Sequence, residues 1–421
     1  MANGSITLTE TRNLRSGTVP WRDADWTLPA AAPLPAGPVD VAILGSGIMG
    51  AILADRLAAT GRSVALLDRR PPGCGSTAAS TAQIMWAMDV PLIRLAEDLG
   101  EQEAARRWRR VFAAVQRFGE RLDRLGPDAR TPCPTLYLSG DLLDEDGLRA
   151  EAEAHRRHGL PSRYLDAQAV AERFGIAPRA GIVSEGSYAI DPVATCHDLL
   201  REAGKHGAVT VYPADVAGLH PIPAGVELEL ADGRSLIAGD VILATGYERA
   251  RLFLPPAFSL LSTFAIATSP GTAPLWKENA MIWEASDPYL YVRTCKDGRV
   301  IAGGEDVELA DALSRDALLA AKSGTIAAKL EAMLGHSAPI AVDRAWTATF
   351  GASPDGLPAI GRSALMERVW LSAGFGGNGI AFAALAAELL DRALAGGEGR
   401  GGGGGGEDPD SACFDPYRFG N

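Results

Sequence analysis

The first strong pattern along the chain is a run of six residues, 39–44, of which five are apolar. A glycine-rich segment follows, and residues 48–59 then repeat apolar positions three and four apart, which predicts an amphipathic helix. A second apolar run of strand length occupies residues 63–68. Strand, helix and strand in this order predict the β-α-β unit that opens a doubly wound parallel sheet.

Helical and strand patterns alternate along the rest of the chain. Residues 90–130 carry large apolar side chains three or four apart, which predicts one or two amphipathic helices. Asp191 followed by Pro192 predicts the start of another helix, because aspartate caps a helix and proline suits its first turn. Residues 209–246 and 259–305 alternate in the manner of strands. Residues 379–397 predict a mostly buried closing helix that ends at glycine.

The two ends of the chain lack this periodicity. Residues 1–37 are polar and rich in proline, and they predict an irregular arm on the surface with Trp21 and Trp26 as its large anchors. Residues 396–408 are a glycine-rich linker. The last segment, residues 409–421, contains aromatic residues that predict docking of this tail onto the body of the protein.

Composition and charge exclude several classes of protein. The chain has 421 residues, 47% hydrophobic and 22% charged, which excludes wholesale disorder. Its net charge of −12 argues against nucleic-acid binding, which needs a basic surface. The five cysteines are scattered and the six histidines lack metal-ligand spacing, so neither a disulfide framework nor a metal site is expected. Because no signal peptide or apolar span is evident, we expect a cytoplasmic protein without an integral membrane segment.

The segment after the first strand carries a dinucleotide-binding pattern. Gly45, Gly47 and Gly50 have the spacing that allows a tight turn, a close approach to a pyrophosphate and close packing of the following helix. Asp68 ends the second strand, where a carboxylate accepts hydrogen bonds from the hydroxyls of an adenosine ribose. A glycine-rich turn without a ligand is the alternative. The strand, helix, second strand and terminal acid together favour a bound dinucleotide.

Three further loops of small residues favour FAD over NAD as this dinucleotide. They are residues 73–81, residues 244–246 at the end of a buried strand, and residues 374–380 before the closing helix. Loops spread over the chain suit an extended cofactor whose diphosphate and flavin ring pass several strand ends. The residues predicted to bind it are Gly45, Gly47, Ile48, Met49, Gly50, Asp68, Arg69, Ser76, Thr77, Ser80, Thr81, Gln83, Val216, Thr245, Gly246, Gly374, Gly376, Gly377, Asn378, Gly379 and Ile380.

These motifs resemble the D-amino-acid-oxidase superfamily of flavoproteins, which includes glycine, sarcosine and gamma-glutamylputrescine oxidases. The resemblance covers about residues 20–420 and rests on GSGIMG, GSTAAST, YAIDP, DVILATG, DGRVIAGGED, PDGLPAIG and GFGGNGI in this order. It implies an α/β fold in which a Rossmann-like FAD-binding domain is interleaved with an antiparallel-sheet α+β substrate domain. The implied boundaries are 38–100, 180–255 and 345–395 for the first domain, and 101–179 and 256–344 for the second.

The chain departs from this superfamily at positions that would bind a substrate carboxylate. Amino-acid-specific members carry an arginine where this chain has Phe350, and glycine-oxidase-like members carry another near Gly376 and Gly377. An arginine fork matches a carboxylate in geometry and charge, which phenylalanine and glycine do not. The resemblance therefore implies an amine substrate rather than a free α-amino acid, nearest the gamma-glutamylputrescine oxidase branch. It also implies non-covalent FAD, since no cysteine lies in the PDG stretch.

Two segments are predicted to contribute side chains near the flavin. One segment follows the GSTAAST loop, and the other is residues 283–291 of the predicted substrate sheet. Aromatic side chains of residues 283–291 would form a wall of the substrate site, although ordinary packing on a sheet face is the alternative for each of them. Glu284 would pair with a distal cation of the substrate, whereas Arg293 is interpreted as a solvated strand residue. Lys277 is a further candidate without a secure alignment. The predicted residues are Gln83, Trp86 and Met88 after the GSTAAST loop, and Trp283, Glu284, Tyr289 and Tyr291 as catalytic candidates.

The sequence thus predicts an FAD-dependent oxidoreductase that oxidises the C–N bond of a primary or secondary amine by hydride transfer to flavin N5. The resulting imine would hydrolyse to an aldehyde and an amine or ammonia. The expected partners are a small-molecule amine and an acceptor, oxygen or a quinone. Two alternatives stay open. One is a dehydrogenase of an amino acid, a 2-hydroxy acid or a polyol phosphate, and the other is a flavin subunit of a hetero-oligomeric dehydrogenase.

Overall fold

A computed structural model describes residues 6–7, 13–23, 27–248, 254–335, 339–396 and 408–420. Within these ranges no helix is long and apolar enough to cross a membrane. The strands are β1 (Ile6–Thr7), β2 (Arg15–Gly17), β3 (Val39–Leu44), β4 (Val64–Leu67), β5 (Gln83–Ile84), β6 (Thr131–Leu138), β7 (Ser162–Leu165), β8 (Gly181–Ala189), β9 (Val209–Val211), β10 (Val216–Ile222), β11 (Gly225–Leu230), β12 (Ser235–Leu243), β13 (Ser259–Thr268), β14 (Met281–Glu284), β15 (Leu290–Thr294), β16 (Val300–Val307), β17 (Val342–Ala352), β18 (Ala359–Arg362) and β19 (Val369–Ala373).

Helices connect these strands and cover the sheets. Asp191 caps one of them as predicted, since its Oδ1 accepts hydrogen bonds from the backbone N–H groups of Val193 and Ala194 at 2.9 and 3.0 Å. The α-helices are α1 (Ile48–Ala59), α2 (Ser76–Ala79), α3 (Leu92–Leu99), α4 (Glu101–Asp123), α5 (Glu145–Arg157), α6 (Ala167–Phe174), α7 (Pro192–Lys205), α8 (Ala312–Ala317), α9 (Leu319–Leu334) and α10 (Gly379–Ala395). Short 3-10 helices lie at Pro20–Asp23, Gly376–Asn378 and Ser411–Phe414.

The first sheet has nine strands and a parallel centre. β9, β4, β3 and β12 lie side by side in parallel, and β19 pairs in parallel with the end of β12. Antiparallel strands β11, β10 and β1 extend the sheet beyond β12. Alternate residues of β3 and β4 belong to two different buried clusters, so both faces of these strands are covered. Such strands have continuous apolar runs, as the sequence shows.

The second sheet has ten strands in the order β2-β17-β13-β16-β15-β14-β6-β8-β5, with β7 beside β8. Its described pairs are antiparallel except for β14 with β6. On one face, Leu290 and Val292 of β15 share a buried cluster with Ile326 and Leu330 of helix α9. Tyr291 lies between these two residues in β15, so its side chain points to the opposite face. That opposite face is turned toward the first sheet.

The predicted α/β fold is confirmed. Strand β8 and most of β17 lie in segments predicted for the FAD-binding domain, and both strands belong to the ten-stranded sheet. Alternation of apolar residues predicts a strand but does not reveal its partner, because pairing joins residues that are far apart in sequence. The exact division into two domains stays a prediction.

The N-terminal arm is more ordered than predicted, and the C-terminal tail docks on the body of the protein. β2 pairs with β17, and the indole Nε1 of Trp21 donates a hydrogen bond to the carbonyl oxygen of Ser80 at 3.0 Å. The tail docks on the body as predicted, since the side chain of Phe414 is fully buried. Trp26 and most of the glycine-rich linker lie outside the described residues.

Candidate active site

A cavity of about 300 Å³ lies between the two sheets. Its lining includes Leu44, Leu67 and Ala244, which stand at the carboxyl ends of β3 and β4 and directly after β12. In open sheets with a parallel centre, ligands bind outside the carboxyl ends of the strands, because the connecting loops meet there. The cavity is therefore placed where this fold class binds a dinucleotide.

Close backbone packing shapes the glycine-rich turn at this end of the cavity. A Cβ atom on Gly45 would overlap the carbonyl oxygen of Ala244, and one on Gly50 would overlap the carbonyl oxygen of Gly45. A Cβ atom on Gly47 would stand 2.9 Å from Oγ1 of Thr77. The same Oγ1 accepts a hydrogen bond from the backbone N–H of Ile48 at 2.9 Å, at the start of helix α1. These contacts leave a bare backbone surface and a helix N-terminus facing the cavity, which fits a pyrophosphate.

Asp68 lies directly after β4 on the wall of the same cavity. Its Oδ2 accepts hydrogen bonds from the backbone N–H and the hydroxyl of Ser46 at 2.8 and 3.0 Å. Its Oδ1 accepts one from the backbone N–H of Arg70 at 3.0 Å. Because these donors fix the carboxylate beside the glycine turn, its remaining acceptor capacity is available to ribose hydroxyls.

Two arginines follow Asp68, and both are held by one buried carboxylate. Glu248 is 5% exposed and forms ion pairs with Arg69 and, at 2.5 Å, with Arg70. Arg69 was predicted to bind the cofactor, and it lines the cavity while its charge is paired in this way. Pairing reduces the positive potential that these arginines offer to a ligand.

All but two of the predicted cofactor residues line the cavity. The exceptions are glycines with packing roles. Gly50 packs on the glycine turn, and a Cβ atom on Gly374 would stand 2.6 Å from the ring of Phe258. The amide Nε2 of Gln83, another lining residue, is buried without a hydrogen-bond partner among the described residues. A polar ligand could satisfy this donor, which adds to the fit of FAD. The individual contacts with FAD stay predictions.

The second sheet forms an aromatic wall, which we define as Trp283, Tyr289, Tyr291 and Phe350; all four line the cavity. The rings of Tyr289 and Tyr291 lie 5.8 Å apart at a tilted angle. Trp283 stacks on Tyr137 with ring centroids 3.8 Å apart. Its indole Nε1 is buried and has no hydrogen-bond partner among the described residues. Three of the four predicted catalytic residues therefore face the cavity.

The fourth predicted catalytic residue, Glu284, does not line the cavity. Its Oε1 pairs with Arg179 at 2.5 Å, and its Oε2 accepts a hydrogen bond from the backbone N–H of Leu290 at 3.1 Å. The side chain therefore serves the packing of the strands instead of a substrate cation. The reason is its register, because Trp283 precedes it in β14 and side chains of neighbouring strand residues point to opposite faces.

The interpretation of Arg293 as a solvated residue is wrong. Arg293 is only 4% exposed, and its Nη1 donates hydrogen bonds to the carbonyl oxygens of Thr81, Ala82 and Ile190 at 2.9, 2.6 and 3.0 Å. It shares the inward face of β15 with Tyr291, two positions earlier. Its role in the structure is to hold the loop after α2 against the second sheet.

Three other candidates from the sequence lie away from the cavity lining. Trp86 is fully buried in the core, where its Nε1 donates to the carbonyl oxygen of Glu185 at 2.7 Å. Met88 is buried next to it, and Lys277 donates to the carbonyl oxygen of Glu172 at 2.9 Å. In the segment after the GSTAAST loop, the cavity is lined by Gln83, Met85 and Asp89, and not by Trp86 or Met88.

Asp89 is the functional candidate that sequence reasoning missed. Its carboxylate accepts hydrogen bonds from the backbone N–H of Gly377 at 2.9 Å and from Nδ2 of Asn378 at 3.3 Å. The side chain is exposed and lines the cavity. Partial loss of hydration in the cavity raises the pKa of Asp89, and the hydrogen bond from Gly377 lowers it by less. A lone acid within the apolar stretch IMWAMD was the available signal.

The charges around the cavity are distributed unevenly. Among the described lining residues, the positively charged ones are Arg69 and Arg70, which follow β4 and pair with Glu248. The aromatic wall contributes no charge. Burial raises the pKa of Tyr289 most, and the charges of Asp306 and, to a smaller extent, Asp89 raise it further; of these two acids, Asp89 lines the cavity. Among the described lining residues, the charged group beside the aromatic wall is therefore the carboxylate of Asp89.

Comparisons with known proteins identify relatives of this chain. The chain is 23% identical over 380 residues to the probable oxidoreductase OrdL of Haemophilus influenzae, covering 86% of this chain and 84% of that one. It is 29% identical to the tRNA 5-methylaminomethyl-2-thiouridine biosynthesis bifunctional protein MnmC of Azoarcus sp. strain BH72, covering 84% of this chain but only 56% of that protein. Its fold matches the crystal structure of L-proline dehydrogenase from P. horikoshii with a TM-score of 0.72 and 19% identity, covering 91% and 98% of the two chains.

The family assignment rests on a match that extends over most of the chain. The sequence model of the DAO family, described as FAD dependent oxidoreductase, matches residues 40–393. These residues include the glycine turn, Asp68, the aromatic wall and the last glycine loop. The chain belongs to the DAO family of FAD-dependent oxidoreductases, and FAD is its cofactor.

Proposed function

We propose that this enzyme oxidises the C–N bond of a primary or secondary amine that has no carboxylate beside the reacting carbon. The observation that carries the proposal is the charge beside the aromatic wall. Asp89 faces the cavity there, and the described lining residues place no basic side chain beside it. An ammonium group is attracted by this carboxylate, whereas a substrate carboxylate is repelled.

The cavity strengthens this electrostatic preference, because a ligand inside it is partly shielded from water. A charge transferred from water into such a cavity loses much of its hydration, and it needs an opposite charge or several hydrogen bonds in return. Phe350 occupies the position where amino-acid-specific relatives carry arginine, and it lines the cavity. A substrate carboxylate at this wall would therefore lack a matching cation among the described residues.

Names of relatives support oxidation next to nitrogen. The proline of the structural neighbour L-proline dehydrogenase is a secondary amine, and the name of the MnmC relative contains a methylaminomethyl group. Proline also carries a carboxylate, for which the described lining of this cavity has no arginine beside the aromatic wall. The shared chemistry is thus the C–N bond, and the difference lies in the second group of the substrate.

Bound FAD would supply the acceptor for the hydride that leaves the carbon next to nitrogen. The protein's own part is to bind and orient the amine and to exclude water. The flat faces of Trp283, Tyr289 and Tyr291 fix the direction of the substrate's C–H bond. The carboxylate of Asp89 binds the positively charged ammonium group of the substrate. Positioning of this kind supplies much of the acceleration in such reactions. Oxygen or a quinone is the proposed final acceptor.

The test is anaerobic mixing of the FAD-loaded enzyme with matched sets of amines, the corresponding alcohols, and the corresponding α-amino acids. We expect the flavin absorbance to be bleached by one or more amines and by neither other set. Bleaching by the α-amino acids would overturn the proposal and place a cation beside the aromatic wall. Bleaching by the alcohols would assign the alternative dehydrogenase chemistry. Readmission of air then distinguishes oxygen from another acceptor by the speed of reoxidation.

A further inference from the structure

Strand β16, which follows Tyr289 and Tyr291 in the chain, contains a β-bulge. Between β13 and β16, Phe264 pairs with Gly304 and Ser262 pairs with Val307, so three steps along β16 correspond to two along β13. Gly304 has a φ of +132°, and a Cβ atom there would overlap the carbonyl oxygen of Tyr289. Glu305 follows with a φ of +58°, which is uncommon for a residue with a side chain. One extra residue is therefore inserted into β16 at this point.

The bulge exchanges the faces to which the next two side chains point. Ile301 and Gly303 lie on the face of Tyr291, so a regular strand would direct Glu305 to that face as well. Instead, Glu305 forms ion pairs with Lys322 at 3.0 Å and Lys329 at 2.5 Å, on helix α9 behind the sheet. Asp306 takes the face toward the cavity.

Asp306 consequently lies directly behind the aromatic wall. The backbone N–H of the neighbouring Glu305 donates a hydrogen bond to the carbonyl oxygen of Tyr289 at 3.4 Å, which ties this part of β16 to Tyr289. The hydroxyls of Thr263 and Tyr289, which both line the cavity, lower the pKa of the Asp306 carboxyl group. Its Oδ1 is nevertheless buried without a hydrogen-bond partner among the described residues. A buried acid with unused acceptor capacity is costly to maintain, and such groups are concentrated at functional sites.

The charged and titratable groups around Asp306 come from several elements. Tyr291 belongs to β15, Asp287 and Tyr289 precede that strand, and Asp89 lines the cavity. The pKa of Asp306 is raised to about 6, mainly by burial; the hydroxyls of Thr263 and Tyr289 act to lower it, and the charges of Asp89 and Asp287 act to raise it. Lys322 and Lys329 are engaged by Glu305 on the other face.

We propose that Asp306 is a positioning residue that acts through Tyr289, and that the two together remove the proton from the substrate ammonium. This inference rests on the proposed amine oxidation. Asp306 holds the Tyr289 hydroxyl as a donor toward itself, so that the hydroxyl oxygen accepts a hydrogen bond from the ammonium group. The pair thereby prepares the neutral amine that hydride transfer requires.

The proton transfer is balanced within this pair. The N–H bond of the ammonium breaks and its proton goes to the oxygen of Tyr289, while the original phenol proton goes to the carboxylate of Asp306. The ammonium becomes a neutral amine, Tyr289 ends unchanged, and Asp306 becomes a carboxylic acid. No electron is transferred in this step. Loss of hydration lowers the pKa of an ammonium and raises that of a carboxyl group, which brings donor and acceptor closer in proton affinity, whereas the charge of Asp89 acts in the opposite direction on the ammonium.

The test compares flavin reduction and ligand binding by the FAD-loaded enzyme and its variants as pH is varied. The reducing ligand is the amine that bleaches the wild type, and the binding ligand is its α,α-dimethyl analogue, which has no C–H bond to lose. In the wild type, the reduction rate and the analogue's affinity both fall as pH decreases through the pKa of Asp306. We expect Asp306→Asn to lose this dependence and to reduce the flavin about 100-fold more slowly.

Further variants separate this role from general disturbance of the fold. Tyr289→Phe is expected to lose the same pH dependence, and the double variant to be no slower than the slower single variant, because both act in one step. Asp297→Asn, at the exposed turn of the same hairpin, is the matched control and keeps the wild-type profile. If Asp306→Asn does not retain FAD, Tyr289→Phe decides the question.

Two results would overturn the inference. One is a wild-type pH dependence retained by Asp306→Asn or, where that variant lacks FAD, by Tyr289→Phe. The other is a double variant whose losses simply add. Failure of the proposed function has a different signature, since no amine would then reduce the wild-type flavin at any pH.

Discussion

The carboxylate of Asp89 accepts a hydrogen bond from the backbone N–H of Gly377 at 2.9 Å, which joins the segment after α2 to the loop that begins the closing helix. A Cβ atom on Gly376 or Gly377 would stand 2.8 or 3.1 Å from this carboxylate. The two glycines therefore leave the space that Asp89 occupies. The resemblance to the superfamily implies an arginine near these positions in glycine-oxidase-like members, whereas this chain accommodates an acid.

Replacing Asp89 with asparagine is expected to weaken amine binding. The change removes the negative charge but keeps a carbonyl oxygen for Gly377. Loss of a hydrogen bond to a charged group costs about 1.5–3 kcal/mol, which corresponds to roughly a 10- to 100-fold higher half-saturating concentration. The concentration dependence of flavin reduction measures this effect, with Asp98→Asn on the exposed side of α3 as the control. Equal half-saturation in both variants would remove Asp89 from the substrate site.

Gly50→Ala is expected to damage the cofactor site, whereas Gly204→Ala is expected to stabilise the protein. A methyl group on Gly50 would overlap the carbonyl oxygen of Gly45, and overpacking of this kind costs about 3 kcal/mol. A methyl group on Gly204, in helix α7, has no atom within 4 Å. Alanine there should add about 0.5 kcal/mol through its helix propensity. Denaturant unfolding and the retained FAD content test both expectations, and loss of FAD from both variants would contradict them.

Glu388 joins helices α10 and α4 through charge. It is 7% exposed and pairs with Arg110 at 2.7 Å and Arg117 at 2.6 Å. Burial raises the pKa of Glu388, but the hydrogen bonds and charges of these arginines lower it by more, so the net pKa is below its usual value. Glu388→Gln should therefore cost about 1.5–3 kcal/mol at neutral pH through the loss of hydrogen bonds between charged groups. The loss stays in this range because Arg117 is half-exposed and Arg110 keeps its pairs with Asp408 and Asp410.

The pH dependence of this loss follows from the lowered pKa. A carboxylate whose pKa is depressed by folding stabilises the protein above its unfolded value, and that contribution disappears as pH falls through the folded value. The stability difference between wild type and Glu388→Gln should therefore shrink at acidic pH, below about 4. Glu97→Gln, from the exposed pair with Arg94, serves as the control, with a change below about 0.5 kcal/mol at any pH. A constant difference for Glu388→Gln would argue against this origin.

The docked tail should contribute measurably to stability. Phe414 is fully buried, whereas Phe419 is 39% exposed in the same segment. Phe414→Ala removes a large side chain from a packed site and should cost about 3 kcal/mol. Phe419→Ala should cost about 0.5 kcal/mol, in line with surface substitutions. Urea unfolding followed by fluorescence distinguishes them, and equal losses would show that the tail contributes through another residue.

Local features of this protein could be predicted from the sequence because they depend on neighbours in the chain. The spacing of Gly45, Gly47 and Gly50, the acid at position 68 and the cap at Asp191 each act within one turn, one strand or one helix start. Their geometry follows from backbone sterics and local hydrogen bonds, and the structure shows each element where the pattern predicts it. The family, its fold and its cofactor are carried by these local motifs.

Only the tertiary structure decides which side chains near the aromatic wall face the cavity. Whether Arg293 is solvated or buried, and whether Glu284 or Asp89 faces the cavity, depends on strand register and on loops that meet from distant parts of the chain. A single inserted residue in β16 reverses the faces of Glu305 and Asp306, and alternation along the sequence does not show it. The sequence shows which charged and polar groups the protein has. Non-local packing determines which of them face a ligand, because a shift of one residue in strand register turns each side chain to the other face of the sheet.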